Sequence, residues 1–288
     1  MNGRSLGVAA AILYIVLWAS AYVPSKIGVL GSSPLWFLVF RFALSGIVAL
    51  AIARAAGAHL PRTVREWAAV VALGVLGNAL YLGFTYEALR HVASGIGAIV
   101  ASTNPLVLAL IAPVVLQERL GVAKLLGLVL GFGGVLAIVL VRLGTGTADP
   151  FDVVLAFCGV LASVGATIVF KKWCGGLDLR AVTGLQLLAA GVVVLPFALA
   201  GEGLPHATWT PAFVASFFYA VFVMSVGASL LWFWLLTHGE ASRVSAYYFL
   251  TPVFGLAFSA LLLHEPVGLR DAGGLGAIAL GIALVQRT

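Results

Sequence analysis

The chain has 288 residues, of which 62% are hydrophobic and 9% charged, with a mean hydropathy of +1.13. A soluble domain carries about 25% charged residues, so a water-bathed globule is excluded and the chain must lie in lipid. The net charge of +6 fits one positively charged membrane face and implies no nucleic-acid partner. In hydrocarbon only helices or closed barrels satisfy the backbone. The apolar runs are long and do not alternate, which selects helices.

Ten spans are predicted, at 6–28, 34–55, 67–87, 94–116, 122–141, 151–170, 181–200, 211–236, 244–263 and 269–285. The first contains Trp18 and Tyr22 and is followed by further spans, so a cleaved signal is not expected. Turn chemistry separates several spans, as at Gly31-Ser32-Ser33-Pro34, Gly144 to Pro150 and Gly201 to Pro205. With a cytoplasmic N-terminus, Arg4, Arg54, Arg62, Arg65, Arg119, Lys124, Lys171, Lys172, Arg180, Arg243 and Arg287 fall inside. Arg90, Arg142 and Arg270 fall outside. This bias predicts a plasma-membrane protein with both termini cytoplasmic.

The chain repeats itself. A shift of 147 residues brings Leu89 onto Leu236, His91 onto His238, Pro105 onto Pro252 and Glu118 onto Glu265. The same shift brings Gly121, Gly127 and Gly134 onto Gly268, Gly274 and Gly281. For the first two spans a shift of 145 matches Ala21 with Ala166, Lys26 with Lys171 and Gly46 with Gly191. The expected architecture is all-α, with two five-helix repeats, 1–146 and 147–288. An odd number of spans per repeat inverts the second copy about an axis in the membrane plane.

Cys158 and Cys174 are expected at different depths, which predicts no disulfide. The sequence has no phosphate-binding loop, no His-Glu-x-x-His and no zinc spacing. No cofactor and no metal are expected. Gly131-Phe-Gly-Gly134 fits helix packing, because no strand precedes it.

An ionisable group within a span marks a candidate function. Arg41 is a candidate carboxylate anchor, weighed against a structural ion pair with Glu87. Lys26 is expected to snorkel outward. Glu118 and Glu265 fall past helix ends, where the expected role is to accept N–H bonds at the start of the next span. Pro105 and Pro252 are predicted hinges in the middle of spans 4 and 9. Gly74, Asn78, Tyr81 and Thr85 form one helix stripe, and Ser225, Ser229 and Trp232 form its counterpart. Three repeat pairs fall near mid-membrane: Trp18 with Ser163, Asn78 with Ser225, and Asn104 with Thr251. These six, with Tyr81, Trp232 and Arg41, are the predicted substrate-binding residues. Such a lining suits an apolar side chain with a few hydrogen-bonding groups. No acidic residue falls at mid-membrane, which argues against coupling through a midplane carboxylate and leaves proton coupling open.

Proline in span 4 or 9, glutamate past its end and a glycine-rich next span resemble the drug/metabolite transporter superfamily. Within it the chain is most similar to the ten-helix EamA-type exporters, in particular the YddG-type exporters of aromatic amino acids and other metabolites. Trp18-Ala-Ser-Ala-Tyr22 and Arg41 also fit the family pattern, whereas Gln186 stands where the repeat would place a second arginine. The resemblance implies export of small metabolites by alternating access. A phosphorylated-metabolite or nucleotide-sugar carrier would want several core cations, and Arg41 is the clear one. An intramembrane enzyme would want a carboxylate pair, a Ser–Lys dyad or a metal set at one depth, and none is found.

Overall fold

The structure, a computed structural model, describes residues 3–91, 100–101, 103–119, 121–142, 150–251, 253–254 and 269–287. Pro252, Glu265, the junction at 146–147 and the side chains of Lys26 and His91 lie outside the described residues. The described residues are helical, with one isolated bridge between Ser32 and Ala207 and no strand among them.

The first predicted span is two helices, α1 (Gly3–Ser20) and α2 (Tyr22–Gly31). The break has a local cause. Pro24 lacks the N–H that would bond the Ser20 carbonyl, and the Ala21 N–H tightens onto Trp18 O at 3.2 Å. Helix α3 (Pro34–Ala55) follows, with Pro34 in its first turn where no N–H is needed. The third span opens with α4 (Val64–Gly74) on a capping box. Thr63 Oγ1 accepts the Glu66 N–H at 3.2 Å, and Glu66 returns the bond to the Thr63 N–H at 3.0 Å. A π-helical stretch, Val75–Leu80, joins α4 to α5 (Tyr81–His91). Then come α6 (Asn104–Val115) and α7 (Val122–Arg142).

The second half repeats the plan. Helix α8 (Pro150–Val169) ends in a π turn, Phe170–Cys174, and α9 (Leu179–Gly201) starts on Asp178, which accepts the Arg180 N–H at 2.9 Å. Helix α10 (Pro211–Phe218), a π stretch (Tyr219–Ala228) and α11 (Ser229–His238) make one continuous span. Helix α12 (Ala241–Ala246) passes into a 3₁₀ turn at Tyr247–Leu250, and α13 (Leu269–Arg287) closes the chain.

Among the described residues, five helices are long and apolar enough to cross a bilayer: Pro34–Ala55, Val64–Ala88, Val154–Cys174, Leu179–Gly201 and Pro211–His238. Leu6–Ser20, Asn104–Val115, Val122–Gly134 and Gly276–Val285 are shorter apolar helices. Large apolar side chains such as Leu110, Val114, Val192 and Phe197 point away from the protein. The protein is therefore a polytopic all-α membrane protein whose outer surface suits lipid.

The inverted repeat is visible in its glycines. Helices α7 and α13 cross in close contact. A Cβ on Gly127 would lie 2.6 Å from Gly281 O, and one on Gly134 would lie 2.7 Å from Gly274 O. These four are each other's mates under the 147-residue shift, so the helices cross antiparallel about a local two-fold axis. Helices α3 and α9 do the same. A Cβ on Gly46 would meet Gly184 O at 3.0 Å, and one on its mate Gly191 would approach Val39 O at 3.8 Å. Small residues allow this backbone approach, and dispersion between the backbones rewards it.

Two glutamates tie the halves together at their ends. Glu202, past the end of α9, accepts the Leu35 N–H through both carboxylate oxygens at 3.1 Å and the Trp36 N–H at 3.2 Å, capping α3. Glu118 accepts the Ala241 N–H at 2.7 Å and the Ser242 N–H at 3.2 Å, and the Ser242 hydroxyl as well. Glu118 thus does cap a helix start, but that of α12 in the other half and not that of α7, the next helix in sequence. Gln117 aims it. Its φ of 58° puts it in the left-handed region, and the Glu118 N–H folds back to Ala112 O at 3.3 Å.

Candidate functional site

The helices enclose a cavity of about 140 Å³ with walls from both halves. Of the nine predicted substrate-binding residues, seven line it: Trp18, Arg41, Asn78, Tyr81, Ser163, Ser225 and Trp232. Asn104 and Thr251 stand outside the wall among the described residues. Asn104 lies one bond behind it, its Nδ2 donating to Ser163 Oγ at 3.2 Å. Thr251 is buried, and its hydroxyl has no hydrogen-bond partner among the described residues. Pro105 lies in the first turn of α6, just after helical Val100 and Ala101 and a turn in which the Thr103 N–H bonds Val100 O at 3.0 Å.

One end of the cavity is aromatic. Tyr14 stacks on Trp18 and Trp232 with ring centroids 5.8 and 5.0 Å apart, and Trp18 stacks on Tyr81 at 6.0 Å. Tyr248 meets Trp18 and Trp232 edge-on at 5.7 and 5.3 Å. The Tyr14 and Tyr248 hydroxyls share a hydrogen bond of 2.7 Å. Such a box offers both ring faces and ring edges to an apolar group.

The other end holds the cation. Arg41 is 6% exposed. Its Nε donates to Ser225 Oγ at 2.8 Å and its Nη1 to Tyr86 Oη at 3.0 Å, and Tyr86 donates onward to Ser25 Oγ at 3.0 Å. No carboxylate pairs with Arg41 among the described residues, so the Glu87 ion pair is not formed. Hydroxyl dipoles only partly replace the lost hydration of a buried guanidinium, and a carboxylate would complete it.

The third wall is neutral. Asn78 Nδ2 donates to Gln186 Oε1 at 3.1 Å. Both π stretches lie here: Val75–Leu80 carries Asn78, and Tyr219–Ala228 carries Ser225. Shifted by 147, residues 75–80 become 222–227, inside the second stretch. The wider turn therefore occurs at matching places in both repeats and at the cavity wall, a setting in which π turns are often functional. Sequence periodicity carries no signal for it.

Sequence reasoning did not select Tyr14, Tyr86, Tyr248 or Gln186. Tyr14 lies one turn before Trp18, so helical spacing could have found it. Gln186 is the repeat mate of Arg41, a signal already in the sequence. Tyr86 and Tyr248 have no local signal.

A two-repeat helical bundle around a central, partly polar cavity with a buried cation defines a membrane transporter of small molecules. The chain belongs to the EamA-like transporter family, which it matches over residues 5–140 and again over 151–287. It is 29% identical to the uncharacterized transporter YvbV of Bacillus subtilis, over 94% of this chain and 88% of that protein. It is 25% identical to the protein PecM of Dickeya dadantii, over 93% of this chain and 88% of that protein. A Salmonella typhimurium protein named "Probable amino-acid metabolite efflux pump" is 26% identical over 92% of this chain and 90% of its own. A solved crystal structure superposes with a TM-score of 0.81 at 18% identity, covering 98% of this chain and 97% of the other, which supports the fold.

Proposed function

We propose that the protein exports small amphipathic metabolites with one carboxylate, aromatic and other neutral amino acids among them, by alternating access through the central cavity. No catalytic step is assigned to it. The observation that carries this is Arg41: a buried cation with neutral partners, at the wall of a cavity whose far end is an aromatic box. The carboxylate would bind Arg41, and the side chain would stack among Trp18, Tyr81 and Trp232. The Salmonella relative's name supports amino-acid metabolites as the class. The test is flux of L-phenylalanine into proteoliposomes. Arg41→Gln should lower it by roughly tenfold or more, the worth of a charge-assisted bond, at unchanged protein insertion. Flux of phenethylamine, which lacks the carboxylate, should not fall. Equal flux of phenylalanine through both proteins would sink this assignment.

The orientation is part of the same proposal. The positive-charge bias supports a bacterial-type inner-membrane location with both termini in the cytoplasm. Ser25 and Ala88 then lie toward the outside, and the Tyr14–Tyr248 bond and the Glu118 cap lie toward the inside. Export requires a second state in which these inner contacts part. A cysteine at Gly203 should label from outside intact cells and one at Gly57 should not; both glycines are exposed. Reversed labelling would invert every inside and outside assignment.

A further inference from the structure

Arg41 and Gln186 are mates under the 145-residue shift, and both line the cavity, at 6% and 2% exposure. The same position of the two repeats thus holds a cation in one half and a neutral amide in the other. Helix contacts give their separation. A Cβ on Gly191 would approach the Phe42 Cβ at 3.5 Å and the Ala43 N at 3.7 Å, while one on Gly184 would meet the Leu50 N at 2.9 Å. Helices α3 and α9 are antiparallel, so Arg41 is nearly level with Gly191. Gln186 is five residues from that level (191 − 186), or about 7.5 Å at 1.5 Å per residue.

Gln186 is held in place from behind. A Cβ on Gly74 would lie 2.2 Å from Gln186 O, so α4 and α9 touch backbone to backbone there. One turn beyond Gly74, Asn78 reaches the Gln186 side chain. Neither amide makes another side-chain hydrogen bond among the described residues, so each keeps capacity for a ligand. Apart from Arg41, no lining residue among the described residues is charged.

We propose that Gln186 determines specificity by charge. Neutral where its mate is cationic, it keeps its own side of the cavity free of a second positive charge. One guanidinium neutralises one carboxylate. A dianion would leave its second charge desolvated without a counter-charge, which is costly. Rejection of dianions is thus built in as an absent cation, while the Asn78–Gln186 pair bonds the uncharged or ammonium end of the substrate. This rests on Arg41 as the carboxylate anchor.

The test uses the full chain in proteoliposomes, with labelled L-phenylalanine as substrate and phenylsuccinate, an aromatic dicarboxylate of similar size, as competitor. Phenylsuccinate should inhibit the native protein weakly. Gln186→Arg should strengthen that inhibition by roughly tenfold or more relative to phenylalanine, and Gln186→Lys should act in the same direction. Gln186→Met, close in volume and neutral, should weaken phenylalanine flux while leaving phenylsuccinate excluded. Strong inhibition of the native protein by phenylsuccinate would overturn the proposal without any variant. So would an unchanged inhibition ratio in both cationic variants, provided Arg41→Gln still lowers phenylalanine flux. If Arg41→Gln has no effect either, the carboxylate-anchor assignment falls first.

Discussion

Gly281→Val should destabilise the protein by about 3 kcal/mol or more, at the upper end of overpacking penalties. The first added carbon decides the matter. A Cβ there would lie 2.5 Å from Gly127 O, 2.6 Å from Gly131 N and 2.8 Å from Gly131 Cα. All three are backbone atoms, so no rotamer change relieves the clash and α7 must move away from α13. That movement also opens the cluster of Leu128, Phe249, Ile278 and Val285. No described residue of α7 or α13 lines the cavity. The surviving folded fraction should therefore keep the native substrate preference while thermal unfolding in detergent shifts sharply downward. Gly133→Val is the control, since a Cβ at Gly133 meets nothing within 4 Å. Equal unfolding temperatures for the two variants would show that the crossing is not the constraint described here.

Glu118→Ala should cost about 3 kcal/mol, because it strips several charge-assisted bonds from a nearly buried site. The carboxylate caps α12 through the Ala241 and Ser242 N–H groups, and its loss leaves both without an acceptor. Lys124, 2% exposed, also loses a carboxylate 3.8 Å away and keeps Glu240 at 3.1 Å and the Arg119 carbonyl at 3.4 Å. Glu118→Gln should lie between the native protein and the alanine variant, since the amide oxygen can still accept one bond. Hydrogen exchange at residues 241–246 should quicken in both. Unchanged exchange there would separate Glu118 from the α12 cap. The cluster also gives a pH dependence. Burial pushes the Glu240 carboxyl up, but Lys124 and Arg243 outweigh it and hold it below its ordinary value. A depressed folded value means this contribution is complete above the unfolded pKa and is lost as the pH falls through the folded one. Acid should therefore weaken the cluster.

Much of the fold was legible because lipid simplifies the code. Predicted span 34–55 matches α3 at both ends, since Pro34 starts the helix and Gly57, at φ 67°, lies just beyond it. Span 211–236 continues only to His238, with Pro211 at its head. Span 1, 6–28, reads as one helix, because an apolar run shows length and not continuity; the break follows from Pro24. The central prolines are expected as hinges; Pro105 lies in the first turn of α6, with Val100 and Ala101 helical before it, and Pro252 lies outside the described residues.

Solvent, helical class and duplication follow from the residues in order, because composition and period are properties of the chain alone. The sequence also marked Trp18, Asn78, Ser163 and Ser225 as polar or amphipathic groups at one depth, since depth follows from position along a span. It could not decide which residues face one another across the bundle. Arg41 meets Ser225 and Tyr86, and Asn78 meets Gln186, across 184, 45 and 108 residues of chain respectively. The partner of Glu118 lies 123 residues away, although a local cap was equally compatible with the sequence. The paired π stretches are likewise invisible to a 3.6-residue period, because one wider turn shifts the facing of every later residue without altering composition. Those choices depend on how closely α3, α4 and α9 approach, and Gly46, Gly74 and Gly184 set that distance by offering no side chain.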